Sequence, residues 1–352
     1  MRRTGIVEKP KLKWYSPTHA PFVLEGFPFF EQEHIYRRLS INPSYTLPQG
    51  VEGQSWHTSG GQIRFRARFK TLRIRAELRG AANHDHLTAT GQCGFDIYLA
   101  EEGTPRYHAT TRFDHTADHY DVILADLSQT QTLEAVINFP LYIGVKEVLL
   151  GFDAEAEIFP PAPRALPGRV VVYGTSITQG GCANRPGMVY TNILSRRLNL
   201  EIVNEGYSGA GCSEPEAAMA VAAVENPILY IHDSEANSPD YEIIAARFPR
   251  FFRIYREAHP ETPILLASQI PFARELRNPA ARENRLRNKE LQRSIVERFR
   301  AEGDRNIYFL DGETFFPGNF EEYTVDGVHC TDLGFKFMAD GFEPVIRKIL
   351  GL

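Results

Sequence analysis

Cysteine is scarce in this chain, with four in 352 residues, at positions 93, 182, 212 and 330. Their wide spacing matches no zinc pattern and provides no disulfide framework, so reduced thiols are expected. Long apolar runs are also missing. No stretch approaches the roughly 20 consecutive apolar residues that a membrane helix needs. The basic opening MRRTGIVEKPKLKWYSP has no apolar core behind it, which does not read as a secretory signal. A cytoplasmic location is the expectation. A strong charge of one sign is absent as well. Lys and Arg number 39 against 44 Asp and Glu, a net charge of -5, which gives no reason to expect nucleic acid or membrane as a partner. Neither common glycine-rich phosphate loop occurs, so no cofactor is expected.

What is present is an ordinary globular composition, 43% hydrophobic and 24% charged, in a chain long enough for two domains. The segment IFPPAPRALPGR, with Pro160, Pro161, Pro163 and Pro167, reads as a stiff connector. It divides the chain into residues 1–160 and 168–352. The hydrophobic period differs on its two sides.

Before the connector the period is two. Ile63, Phe65, Ala67 and Phe69 alternate with Arg64, Arg66, Arg68 and Lys70. Leu72, Ile74, Ala76 and Leu78 then alternate with Arg73, Arg75 and Glu77. This predicts a strand pair with one buried and one wet face. With GFDIYLA, HYDVILADL, TLEAVINFPLY and KEVLLGF following, an antiparallel β-sandwich, jelly-roll-like, is expected. The arginine stripe reads as its solvated face rather than an anion site.

After the connector, strands and helices alternate. Apolar runs at 169–173, 200–204, 228–232, 263–267 and 306–310 predict strands. Residues 190–198, 215–224, 248–258 and 285–300 predict the helices between them. A closing helix opens at Thr331 or Asp332, with Leu333, Phe337, Met338, Val345, Ile346 and Ile349 on one face. Such alternation builds a parallel sheet covered on both sides, with ligands outside the carboxyl ends of its strands.

Chemistry-bearing residues fall at those ends. Ser176 lies in VVVYGTSITQGG, after the first strand. Thr178 stands where the nucleophile elbow of α/β-hydrolases needs glycine, so this is a different turn. Gly209, in NEGYSG, offers a backbone N–H to a developing oxyanion, and Asn237, in HDSEANSP, a side-chain amide. Asp326 and His329, in YTVDGVHCTDLGF, supply a carboxylate and an imidazole. Each has a plain alternative: a helix-capping serine, a glycine turn, a turn asparagine, a polar loop. Ser208 is a rival nucleophile. A hydroxyl, an imidazole and a carboxylate together are the parts needed to activate serine for acyl transfer.

In this order on a parallel sheet, the four blocks resemble the SGNH or GDSL family of esterases and lipases. The resemblance covers about residues 168 to 350. It implies an SGNH, flavodoxin-like three-layer α/β/α domain and the roles of nucleophile for Ser176, oxyanion donors for Gly209 and Asn237, and an Asp-x-x-His block for Asp326 and His329. Two positions depart from the family pattern: Thr175 stands before the serine, and the third block reads Glu-Ala-Asn-Ser. The whole chain is similar to two-domain members with an N-terminal β-sandwich. That subgroup implies acyl transfer, either as hydrolysis of short acyl esters, acetylated sugars among them, or as delivery to a specialised hydroxyl acceptor. A non-catalytic carbohydrate-binding protein is the contrasting reading, and the intact serine, histidine and aspartate argue against it. The expected partner is therefore a small-molecule or carbohydrate ester, with self-association open. His84-Asp85-His86 offers two metal ligands but no evident third, so no metal site is expected. Cys182, Cys212 and Cys330 fall near the site blocks as small-volume lining.

Overall fold

Period-two alternation builds one antiparallel sheet from the first part of the chain. In the computed structural model, which describes residues 11–352, its strands are β1 (Leu12–Tyr15), β2 (Val23–Glu25), β3 (Gln62–Leu78), β4 (Asp96–Ala100), β5 (Arg106–Thr110), β6 (His119–Asn138), β7 (Val145–Asp153) and β8 (Glu157–Phe159). The first ten residues, which open the basic N-terminal stretch, lie outside the described ones. The strand order is β1-β7-β3-β6-β4-β5, with β2 and β8 also pairing with β3.

The expected strand pair at 62–78 is one continuous strand. Its apolar parity changes from odd (Ile63 to Phe69) to even (Leu72 to Leu78), and the pairing with β6 shifts register between Phe69 and Thr71. A bulge there bends the strand and returns the apolar residues to the same face. Phe65 and Phe152 pack with ring centroids 5.6 Å apart, although Phe152 lies opposite Leu72. Seven residues of straight strand would span about 23 Å. The sheet therefore folds over its own apolar face, and its two leaves are joined through bent strands. On the outer face, Arg73 and Arg75 share Asp121 at 2.7 and 3.0 Å. Such exposed pairs add little stability. Arg64 differs: it is buried and, with Arg164, holds the buried Glu25.

The second sheet contains β9 (Arg169–Gly174), β10 (Glu201–Gly206), β11 (Pro227–Asp233), β12 (Ile264–Ala267) and β13 (Ile307–Leu310). All are parallel, in the order β10-β9-β11-β12-β13. Val170 and Val172 point into an apolar cluster with the helices Tyr190–Leu198 and Asp332–Leu350. Val171 and Tyr173 point into another, with Pro215–Ala222, Tyr241–Ala258 and Pro279–Ala301. Both faces are covered, as near-continuous apolar strands require. Two helices begin earlier than the sequence suggests. Tyr241–Ala258 runs through Pro249, and Pro279 occupies the first turn of the next, capped by Asn278. Leu333 is exposed at 48%, off the face formed by Phe335, Met338, Ala339, Phe342 and Ile346. Among the described residues, no helix is long and apolar enough to cross a membrane.

The segment between β2 and β3 joins the two sheets. Arg38 is fully buried there. Its guanidinium donates to the carbonyls of Asn204 (2.9 Å) and Gly206 (2.6 Å) at the end of β10. It also donates to the carbonyls of Gln54 (2.8 Å) and His57 (3.0 Å), and lies 4.5 Å over the Tyr207 ring. Removing it would strand four carbonyls. Arg38→Ala should therefore lower stability by about 3 kcal/mol or more, read from the first transition in chemical denaturation. A loss below about 1 kcal/mol would show that water or relaxation replaces these bonds.

Candidate active site

Ser176 follows β9 at the start of a one-turn helix, Ser176–Gln179, which Thr175 caps through its hydroxyl. The turn closes on Gly180, whose φ of 110° lies in the left-handed region. The serine is 8% exposed, enough to reach solvent from a buried turn. Asp326 and His329 lie on a tight loop before the last helix. Asp326 Oδ1 accepts from the Val328 and His329 backbone N–H groups at 3.0 and 2.8 Å. Its Oδ2 lies 2.7 Å from His329 Nδ1, and His329 Nε2 lies 2.8 Å from Ser176 Oγ. Burial alone would raise the Asp326 carboxyl, but the His329 backbone and ring hydrogen bonds outweigh it and hold the group below its ordinary value. The carboxylate thus stays charged against the imidazole, which has one nitrogen left for the serine. This arrangement can take a proton from a hydroxyl and return it to a leaving group.

The loop after β10 carries Ser208 and Gly209. Gly209 has φ 66°. A Cβ there would meet nothing within 4 Å, so conformation rather than space calls for glycine. Tyr207 N–H donates to Gly174 O at 3.0 Å, tying this loop to the end of β9. Asn237 sits on the turn Glu235–Asn237 after β11, and one amide N–H donates to Tyr207 O at 3.1 Å. Its second N–H makes no bond within the protein, and neither do the backbone N–H groups of Ser176 and Gly209, among the described residues. Ser208 is not placed as a rival nucleophile. Gln54 brackets its backbone, accepting from its N–H at 2.5 Å and donating to its carbonyl at 2.6 Å. Its hydroxyl meets no histidine among the described residues.

Several residues at the site carry no sequence signal. Gln54, His57, His84, His86 and Tyr142 all come from the antiparallel part of the chain. Tyr142 donates its hydroxyl to Ser176 O at 3.3 Å, and Gln179 Nε2 donates to His57 Nδ1 at 2.9 Å. The His86 ring lies 5.6 Å from that of His329. The His84-Asp85-His86 loop therefore reaches the site, and Cys182 and His329 lie beside His86 as the further potential ligands that the sequence did not connect with it. The histidines alone gave a hint, but their destination depends on a contact across more than 200 residues.

Asp233 ends β11 directly beside Gly174. It is partly buried and accepts from the Tyr190 and Thr178 hydroxyls at 3.0 and 3.2 Å. Burial pushes its carboxyl up to about 7, against those two hydrogen bonds. An acid raised in the fold binds more protons folded than unfolded, so its contribution to stability falls as pH rises from about 4 to about 7. Asp233→Asn keeps the acceptor and removes the charge. Its stability advantage over the natural chain should grow across that window and level off above it, reaching a few kcal/mol on the order expected from linkage. A pH-independent difference in unfolding midpoint would refute the assignment.

Residues 168–347 match the model of the GDSL-like lipase/acylhydrolase family, and residues 12–158 match that of the N-terminus of SGNH-hydrolase-type esterases. The chain belongs to the GDSL-like lipase/acylhydrolase family and so to the esterases. No curated protein matches it. Among solved structures it is similar to a GDSL-like protein of Bacteroides ovatus (29% identity, 97% of this chain and 98% of the other, TM-score 0.88). It is also similar in fold to the salicylyl-acyltransferase SsfX3 of a tetracycline pathway (18%, 96% and 97%, TM-score 0.77). A family two carbohydrate esterase of Cellvibrio japonicus shares the fold at 13% identity (97% and 99%, TM-score 0.60).

Proposed function

We propose that this protein is a serine esterase that removes short acyl groups, acetyl foremost, from carbohydrate esters through an acyl-enzyme. The observation that carries the reading is the continuous hydrogen-bonded line from Asp326 through His329 to Ser176. In this mechanism His329 Nε2 takes the Ser176 proton as Oγ attacks the ester carbonyl. Asp326 holds the ring in the tautomer that leaves Nε2 free and steadies the imidazolium that forms. The oxyanion is met by the backbone N–H groups of Ser176 and Gly209 and by the Asn237 amide. His329 then protonates the leaving alcohol, water enters, and the same proton path releases the acid.

Preference for a short acyl group is supported by the openness of the site: the Asp326 side chain is 36% exposed and that of His329 19%. Such a site offers little apolar enclosure for a long chain. A carbohydrate alcohol is suggested by similar structures described as family two carbohydrate esterases and an acetyl xylan esterase from a rumen bacterium.

Ser176→Ala should lower kcat by about 10⁴-fold or more with the fold intact, while Ser208→Ala should do far less. Asn237→Ala should cost roughly 10²–10³ in kcat with little change in KM. A change confined to KM would make Asn237 a substrate-binding residue instead. p-Nitrophenyl acetate should be cleaved much faster than the octanoate, and the reverse order would sink the short-acyl reading. Product analysis with sugar acceptors decides between water and a hydroxyl as the final acceptor.

A further inference from the structure

Three potential ligands from three distant segments converge beside Ser176. His86 comes from the loop after β3, Cys182 from the turn after the Ser176 helix, and His329 from the loop before the last helix. One donor atom from each lies within 4.8 Å of the others. Cys182 is buried, has φ 71°, and its thiol donates to the His86 carbonyl at 3.5 Å. Cys182 thus sits at the margin of the apolar cluster with its thiol against the His86 loop.

Both histidines carry a carboxylate on the same ring atom. His86 Nδ1 is 3.0 Å from Asp85 Oδ1, and His329 Nδ1 is 2.7 Å from Asp326 Oδ2. A carboxylate on Nδ1 fixes the tautomer and makes Nε2 the basic donor, the usual arrangement behind histidines that bind metal. Two imidazoles and one thiolate form a borderline-soft set suited to zinc rather than to calcium or magnesium. Tetrahedral zinc places such ligand atoms about 3.3–3.6 Å apart. The set must close by about 1 Å at its widest, and His86, the member on an exposed loop, is the one with solvent around it.

We infer that His86, Cys182 and His329 form a binding site for a single zinc-like cation that shuts the enzyme off. On binding, the Cys182 S–H bond breaks, its proton passes to solvent, and a metal–sulfur bond forms. His329 Nε2 gives its lone pair to the metal and no longer accepts the Ser176 proton. Solvent completes the coordination. The inhibitory part rests on His329 acting as the base. The binding part does not.

The test uses the full chain and cobalt(II) as the probe. Titration should produce a thiolate-to-cobalt charge-transfer band in the near ultraviolet, with the visible bands of four-coordinate cobalt, saturating at one equivalent. Cys182→Ser should abolish the charge-transfer band, and His86→Ala should weaken binding by roughly tenfold or more. Zinc should displace cobalt and inhibit ester hydrolysis over the same concentration range. Fractional inhibition, scaled to each variant's own rate, should fall in both variants. Circular dichroism checks that each is folded, and His86→Ala, on an exposed loop, keeps the test open if Cys182→Ser does not fold. A band that persists in Cys182→Ser, or zinc inhibition undiminished in His86→Ala, would overturn the proposal. A cobalt band without any esterase activity would uphold the metal site and overturn the functional reading alone.

Discussion

A guanidinium buried without a carboxylate partner among the described residues is the constraint on which this architecture turns. Arg38 spends its donors on four carbonyls, two at the end of β10 and two in its own segment. Taking that charge out of water is costly unless every donor is met. The end of β10, the 37–57 segment and the Tyr207 ring must therefore hold one mutual arrangement. Two residues beyond Gly206, Gln54 from that segment grips the backbone of Ser208 in two directions. The left-handed turn at Gly209 follows directly. A residue of the antiparallel part thus fixes the backbone on which an oxyanion donor of the parallel sheet would sit.

For the same reason the two sheets act together at the site. Ser176 belongs to the parallel sheet, but its carbonyl is held by Tyr142 and the Gln179 side chain of its turn by His57. Ser59 Oγ donates to Gln179 O at 2.6 Å, a further anchor on the turn. A short helix of one turn has little stability of its own. Contacts from outside the sheet supply what its length cannot, which is in keeping with family matches that run through both parts of the chain.

The sequence disclosed whatever repeats with a period. Alternation of strands and helices after the connector gave all five parallel strands and the strand-end placement of Ser176, Gly209 and Asn237. Asp326 and His329 could be paired because their bond is local, three residues apart. The bulge at Lys70–Thr71 was visible as a parity change, but reading it as a bend rather than a break required knowing that β6 runs past it unbroken. Arg38, Gln54 and His57 escaped notice, and the place of His86 beside His329 went unread, because they sit in segments without periodicity. Their partners lie tens to hundreds of residues away, and nothing local distinguishes an arginine that meets backbone carbonyls from one that meets water.

The electrostatics of the strand ends follow from the same burial. Glu205 is enclosed at the end of β10 and Glu235 just beyond β11, while Asp233 is partly buried at the end of β11. Burial raises all three carboxyls, Glu205 and Asp233 to about 7. Three full negative charges there would oppose an oxyanion forming at Ser176, since charge repulsion is strong where water is excluded. Their raised values favour the neutral form and so lessen that opposition. The Asp326 carboxylate, which a protonated His329 needs, is the exception. It is the more exposed of these acids and accepts two backbone N–H groups, so it is held ionised. By depth and by hydrogen-bond donors, the fold thus biases three acids toward the neutral form and holds one charged, with the same residue chemistry in both places.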